Sequence, residues 1–435
     1  MQFKHFLPLA TALLFASCSS NRPTQSSKAT DTYRPAIQNI SLSSAPLLKG
    51  AITRENAIRH ALGYSPILQS QRAELRALQA ETVQAGLPPN PELGIEIENF
   101  AGSGGSRGFD GAEITAALSQ RLEVAGKRSK RTLVAALETE AAKAEIASSE
   151  RDVTVATDRA FTTLLEAQAV TGLSISNVSR AEENLATINA LLEAGKSTSI
   201  DVGRAKLAVS EAKELLTEAR LAESNAAVEL SRNWGGGGTD LTPQGSLTSY
   251  EGTILPQVDE AISRHPLTRA ASLRFALAEA TYDLESAKRF SDIEIGGGIR
   301  QLRDADETAA VVGVSIPLPL FNRNQGNIQA AKERLDRSRA EARGKESELR
   351  SRFTMLTSDL RTAHTRVAQF NSQTVNVARQ ALADTNLAYS SGKASLLEVL
   401  DARKTLLQVE RGQVRAQADL LRANNSLKTL SQPNK

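Results

Sequence analysis

The chain has very little sulfur. Its 435 residues hold one cysteine and two methionines. With Cys18 alone there is no disulfide framework and no cysteine-based zinc site. Met1 and Met355 cannot form a ladder of soft thioether ligands. Aromatic residues make up only 4%, and Ala, Leu, Glu, Arg, Ser and Thr dominate, as in long packed helices rather than ordinary globules. The formal net charge is +3, so no basic nucleic-acid surface is implied. The four histidines, His5, His60, His265 and His364, lie far apart without HExxH-type spacing. The reading is therefore of a protein that is not an enzyme, with no catalytic residues, no cofactor and no metal site. His60 and His265, each close before a proline (Pro66, Pro266), read as helix-start residues.

The one cysteine has a context. Lys4 and His5 precede the apolar stretch FLPLATALLFAS, which has signal-peptide length and is too short to span a membrane as a helix. LFASC then resembles a bacterial lipobox, with Phe15 where leucine is commoner. Cys18 is the expected lipidation site, with residues 1–17 as signal peptide. The alternative is a plain signal peptide with a chance cysteine. Residues 18–48, rich in Ser, Thr, Pro and Asn, read as an extended tether.

The remainder is organised around Val311 to Asp401. VVGVSIPLPLF alternates like a strand, and from Gly326 to Tyr389 a proline-free run follows. Leu335, Ala342, Leu349, Leu356, Ala363, Phe370 and Val377 recur every seventh residue, with Phe353, Leu360 and Val367 four places on from that row. This predicts one helix of roughly 95 Å packed along its length. The same plan occurs earlier. A helix capped by Thr53 is expected to run to about Gly86, where LPPNPE breaks it. LGIEIENF (93–100) and AEITAALSQRL (112–122) alternate as strands, and a second long helix runs from Gly126 to Ala194. After the turn EAGKSTSID a helix returns to about Asn233, and WGGGGTDLTPQGSLTSYEGTI reads as a linker. DIEIGGGIRQ and AAVVGVSIPLPL supply two further strands, and YSSGKASLLEVLD answers the first turn. Gly195-Lys196 and Gly392-Lys393 lie 197 residues apart. The expectation is a two-fold repeat, 49–249 and 250–435, each a strand hairpin joined to a long helical hairpin.

Strands of 8 to 11 residues cross a bilayer when tilted. Their apolar side (Ile95, Ile114, Ile295, Val314) suits lipid and their polar side (Glu96, Thr115) suits water. Four strands cannot close around a lumen, and open edges are not tolerated in hydrocarbon, so several chains must share one barrel. The bland alternative is a soluble β-layer capping a coiled coil.

AGLPPNPELGIEIENFAG, LSQRLEVAGKRSKR, VSIPLPLFNRNQGNIQAA and YSSGKASLLEVLDARKTLL resemble signatures of the TolC-like outer membrane factor family. They most resemble its cobalt–zinc–cadmium and copper–silver efflux branch. The resemblance covers residues 50 to 430. It implies a mainly α protein with a membrane β-barrel: a homotrimer with a twelve-stranded barrel in outer membrane lipid and an α-helical tunnel in the periplasm. It implies a periplasmic adaptor and an inner-membrane resistance-nodulation-division pump as partners. The function implied is a passive exit duct, for heavy-metal cations first and for drugs or organic solutes as the alternative. A lipid-anchored coiled-coil protein without a pore is the competing class. The resemblance also implies a periplasmic gate where the hairpin tips meet, using Asp201 at the first tip and Tyr389, Glu398 and Asp401 at the second. The bland reading of each acid is helix capping or a solvated tip. One departure stands out: a family arginine that pairs across the tip is here Ala394, with Lys393 one place earlier.

Overall fold

The computed structural model describes residues 46, 48–237, 240–250, 252 and 257–431. Cys18, the signal segment and most of the expected tether lie outside them. In chain order the elements are β1 (Gly50–Thr53), α1 (Arg54–Tyr64), α2 (Pro66–Ala85), β2 (Glu92–Glu98), β3 (Glu113–Leu122), α3 (Lys127–Glu193) and α4 (Ser199–Arg232). Then come β4 (Leu241–Gln244), α5 (Val258–Ser263), α6 (Pro266–Ala287), β5 (Ile293–Leu302), β6 (Glu307–Ser315), α7 (Gln325–Gln369), α8 (Val375–Ser390) and α9 (Leu396–Ser431).

The two long helices are present. The 67 residues of α3 extend roughly 100 Å at about 1.5 Å per residue. No described helix is long and apolar enough to cross a membrane. The second long helix is continuous from α7 into α8 but carries a π-helical turn at Phe370–Thr374. That turn corrects the heptad reading. Val377 is exposed, whereas Val375 and Ala378 are buried. A π turn inserts one residue into the helical count, so the rows ending at Val367 and Phe370 resume one place late, at 375 and 378. Gly412 of α9 faces the bulge. A Cβ there would stand 3.0 Å from Cζ of Phe370, so the ring fits because the residue opposite is glycine.

Two further corrections concern short elements. The helix capped by Thr53, whose hydroxyl accepts from the Asn56 amide (3.3 Å), does not run unbroken to Gly86. It stops at Tyr64 and restarts with Pro66 at the first helical position, where a missing N–H costs nothing. The expected linker contains β4, which pairs in parallel with β1, Gly50 opposite Leu241. Four-residue strands, one containing Pro243, leave no alternation to read.

The remaining strands form one antiparallel sheet in the order β2-β3-β5-β6. β3 of the first repeat pairs with β5 of the second, Glu113 opposite Leu302 and Leu122 opposite Ile293. The core is strung along the helices instead of gathered in one ball. Around β1 and β4, Phe161, Leu164, Leu230, Trp234 and Leu421 pack together. Leu349, Phe353, Leu360, Leu420 and Leu427 join α7 to α9. At the helical turns Ile188, Val202, Leu396 and Val399 join the two hairpins. Buried polar ties supplement these clusters. Asp158 of α3 accepts from Arg54 of α1 and from Asn425 of α9 (3.1 Å). Burial raises its carboxyl above the ordinary range although Arg54 pulls it down. Glu410 of α9 lies between Arg180 (3.7 Å) and Arg379 (3.3 Å).

Candidate gate and lumen

The two helical turns are copies of one motif. Gly195 and Gly392 take φ of +71° and +73°, which glycine adopts without steric cost. The Lys196 amide donates to Leu191 O and the Gly195 amide to Leu192 O (2.8 and 2.9 Å). In the second turn Lys393 donates to Ala388 O and Gly392 to Tyr389 O, at the same 2.8 and 2.9 Å. Both are Schellman closures of a helix end.

The return helices also begin alike. Asp201 Oδ2 accepts from the Thr198 hydroxyl (2.7 Å) and amide (3.3 Å), and the Asp201 amide donates back to Thr198 Oγ1 (3.2 Å). Glu398 Oε2 accepts from the Ser395 amide (2.6 Å) and hydroxyl (2.9 Å), and its own amide donates to Ser395 Oγ (3.4 Å). These are two capping boxes, legible in the sequence as TSID and SLLE. The Thr198 hydroxyl holds the Asp201 carboxyl below its ordinary value, with the Thr198 amide, Ser197 and Arg204 adding to it. The Ser395 amide, then its hydroxyl, does the same for Glu398. Asp201 and Glu398 are thus repeat equivalents, each engaged at a helix start.

Asp401 and Tyr389 are placed differently. Asp401 is exposed one turn into α9. It lines a groove with Arg204, Glu211, Leu397, Arg403 and Lys404. Tyr389 is half-buried, its ring against the cluster of Ile188, Val202, Leu396 and Val399. Within the chain it is packed beside the turn and not bonded to the acids. The structure therefore brings all four expected residues to one end of the helices but joins none of them directly to another.

At the other end, the sheet register sorts charge completely. Residues directly opposite across antiparallel strands share a face. One face carries Leu93, Ile95, Ile97, Ile114, Ala116, Leu118, Ile295, Ile299, Val312 and Val314, with no charged residue on it. The other carries Glu92, Glu96, Glu98, Glu113, Glu294 and Glu307 with Arg121 and Arg300. Arg300 ties this face together. It donates to Thr115 Oγ1 (2.9 Å) and to Glu113 (3.0 Å) and lies 3.4 Å from Glu98. The apolar face is bare, with Leu93, Ile95, Val312 and Val314 all more than 60% exposed. A long stretch of solvent-exposed apolar sheet opposite a face that holds all the sheet's charges matches lipid on one side and water on the other. This cluster is the functional feature that sequence reading missed. The alternation gave each strand's faces, but the pairing of β3 with β5, which puts Arg300 beside Glu113, is a tertiary fact.

The outer membrane efflux protein model matches residues 57–236 and 257–431. The chain belongs to that family. Its members are outer membrane channels, and this is a channel family, not an enzyme family. Curated relatives of the efflux protein include the cobalt-zinc-cadmium resistance protein CzcC of Cupriavidus metallidurans, 26% identical over 405 residues, covering 93% of each chain. The nickel and cobalt resistance protein CnrC of the same organism is 28% identical over 288 residues, 66% of this chain and 68% of that one. Among solved structures, the outer membrane protein VceC of Vibrio cholerae superimposes with a TM-score of 0.72 at 20% identity, covering 88% of this chain and 97% of that one. The fold of the efflux protein is therefore the TolC-like one, with strand hairpins for a barrel and long helices for a tunnel.

Proposed function

We propose that this protein is the outer-membrane exit duct of a tripartite system that expels divalent metal cations. Three chains each give four strands to a twelve-stranded barrel, with repeats 49–249 and 250–435 contributing two apiece. The observation that carries the cation reading is the charge of the inward face. Six carboxylates and two arginines leave an excess of four negative charges per chain, and a lumen lined by one sign of charge concentrates the opposite ion. The names of the two curated relatives, which concern cobalt, zinc, cadmium and nickel, support the same cargo. Selection among metals then belongs to an inner-membrane resistance-nodulation-division pump, reached through a periplasmic adaptor. Cys18 carries a lipid that tethers residues 18–48 to the outer membrane after removal of residues 1–17.

The six tips of a trimer form the gate. Asp201 and Glu398 fix where each return helix starts. Asp401 and Arg204, at equivalent places of the two repeats, present opposite charges on one groove, and this pair takes the part left open by Ala394. Tyr389 braces the turn. Opening follows when the adaptor binds the splayed hairpins better than the closed ones. Deleting the gene should sensitise cells to cobalt, zinc or cadmium salts and leave tolerance of organic dyes unchanged. Sensitivity to dyes alone would replace the metal duct with an organic-solute duct.

A further inference from the structure

The two helices of the second hairpin carry irregularities at one level. On one side is the π turn at Phe370–Thr374, between α7 and α8. On the other is Gly412, inside α9, so close to Phe370 that a Cβ there would stand 3.0 Å from Cζ of the ring. Beside it, Gln413 donates to Asn371 Oδ1 (2.7 Å). Phe370 and Gly412 lie 22 and 20 residues from the turn at Gly392, roughly 30 Å up the hairpin. A π turn and a glycine inside a helix are both places where helices bend. The helices α3 and α4 of the first hairpin, described throughout, hold no π turn.

Packing changes character at the same level. Above it, toward the barrel, Leu349, Phe353 and Leu360 of α7 meet Leu420 and Leu427 of α9. Below it α8 buries only Val375 and Ala378. Between there and the tip cluster, polar groups join α9 to α3 of the first hairpin. Glu410, 6% exposed, is held by Arg180 of α3 on one side and by Arg379 of α8 on the other. Arg403 Nη1 donates to Arg180 O (2.8 Å), and Arg411 Nη2 to Ser174 Oγ (3.2 Å). Yet Nε of both Arg403 and Arg411 is buried without a partner. Burial, then Arg180, lowers the Arg403 guanidinium from its ordinary value, against a smaller opposing pull from Glu183. Buried donors left open carry a desolvation penalty. Glu410 therefore holds this seam closed against groups that water would satisfy better.

We propose that Glu410 is the latch, and the level of Phe370 and Gly412 the hinge, of one movement in which α8 and α9 swing together away from α3. The inference rests on reading the tips as the gate. The swing parts Glu410 from Arg180 and keeps it with Arg379, because α8 and α9 move as a unit. It brings Nε of Arg403 and Arg411 to water, which offsets part of the broken ion pair. Tyr389, Glu398 and Asp401 lie below the hinge and travel with the second hairpin, whereas Asp201 and Arg204 stay with the first. Glu410 is then a positioning residue that acts on the aperture from roughly 27 Å up the hairpin.

The test places single cysteines in the full-length trimer in detergent, with the parent protein as the blank for Cys18. Ser174→Cys lies at the seam below the hinge and Leu427→Cys above it, and both side chains are buried (1% and 0% exposed). Labelling by a water-soluble maleimide reads how often each is uncovered. Glu410→Gln should speed labelling of Ser174→Cys by about ten-fold or more and leave Leu427→Cys unchanged. Gly412→Ala with Phe370→Leu, which makes room for the added methyl, should stiffen α9 and slow labelling of Ser174→Cys several-fold. If Glu410→Gln forms no trimers, Arg180→Gln, exposed and one side of the same ion pair, decides by the same readout. Equal labelling of Ser174→Cys with and without Glu410, or equal acceleration at both cysteines, overturns the latch. Labelling that Gly412→Ala with Phe370→Leu does not slow overturns the hinge. Faster labelling in Glu410→Gln with unchanged conductance in planar bilayers upholds the latch and overturns the tips as the gate.

Discussion

Asp401 and Arg204 stand at the same place in the two repeats, 197 residues apart, with opposite charge, and line one groove at the tip of the helical hairpins. Every landmark of the two turns keeps that spacing: the glycines at 195 and 392, the caps Thr198 and Ser395, and the capping acids Asp201 and Glu398. One turn deeper the copies diverge from matching residues to complementary ones. A charge pair split between repeats can be made within a chain or between chains, which is what an aperture built from six tips requires.

The gate assignment predicts that Asp401→Ala combined with Tyr389→Phe raises the conductance of the isolated trimer in planar bilayers. The first change removes the carboxylate that shares the groove with Arg204, and the second removes the hydroxyl beside the turn. Arg204→Ala should raise conductance in the same direction. Conductance equal to wild type in both would remove the gate from this place.

Capping and gating separate experimentally. Thr198→Ala should cost about 1 kcal/mol of local stability, read as faster hydrogen exchange in the first turn of α4. Both capping acids have folded-state values below their unfolded ones, so their contribution is present above the unfolded value. It is lost as pH falls through the folded value. Protection factors at these two helix starts, which remove the intrinsic pH dependence of exchange, should therefore fall on acidification, and protection that does not change with pH would contradict the capping boxes.

The buried tie at Asp158 runs the other way. Its folded value is raised, so the folded state favours the protonated form and stability falls as pH climbs through that value. Arg54→Met leaves the carboxylate unpaired and should cost about 3–5 kcal/mol near neutral pH. Part of that loss should return on mild acidification, as a rise in melting temperature greater than that of wild type. A variant whose deficit is constant with pH would show that Arg54 does not act through Asp158.

How much of this was legible in the sequence depends on the range of the interaction. Strand faces, both long helices, the two turns and the repeat follow from local periodicity and glycine placement, and the structure has them within a few residues. The heptad row went wrong only beyond Phe370, because the π turn at Phe370–Thr374 shifts the helical count by one and heptad spacing carries no sign of it. β1 and β4 were too short to show a pattern. Asp201 and Glu398 could be read as caps from TSID and SLLE. The equivalence of Asp401 with Arg204 needed the exact 197-residue spacing to be carried through the turn. The Arg300 cluster required knowing that the repeats meet at β3 and β5.

That register also makes a membrane prediction. Arginine at Ile95, Ile114, Ile295 or Val314 should cost roughly 2–4 kcal/mol near the bilayer midplane, measured by folding into vesicles. Arginine at Glu96, on the charged face, should be far milder. Thr115, expected from its strand position to be equally tolerant, is instead buried and accepts from Arg300, so arginine there would place two cations together. Equal damage at Ile95 and Glu96 would refute the assignment of faces.

The most direct measurement is the reversal potential of the wild-type trimer in a planar bilayer under a salt gradient. The acidic lumen predicts a marked preference for cations over anions. The preference should shrink in Glu96→Gln with Glu294→Gln, grow in Arg300→Gln, and weaken with Asp201→Ala at the tip. A channel that prefers anions, or whose selectivity is the same in all of these variants, would contradict a cation duct lined by these residues.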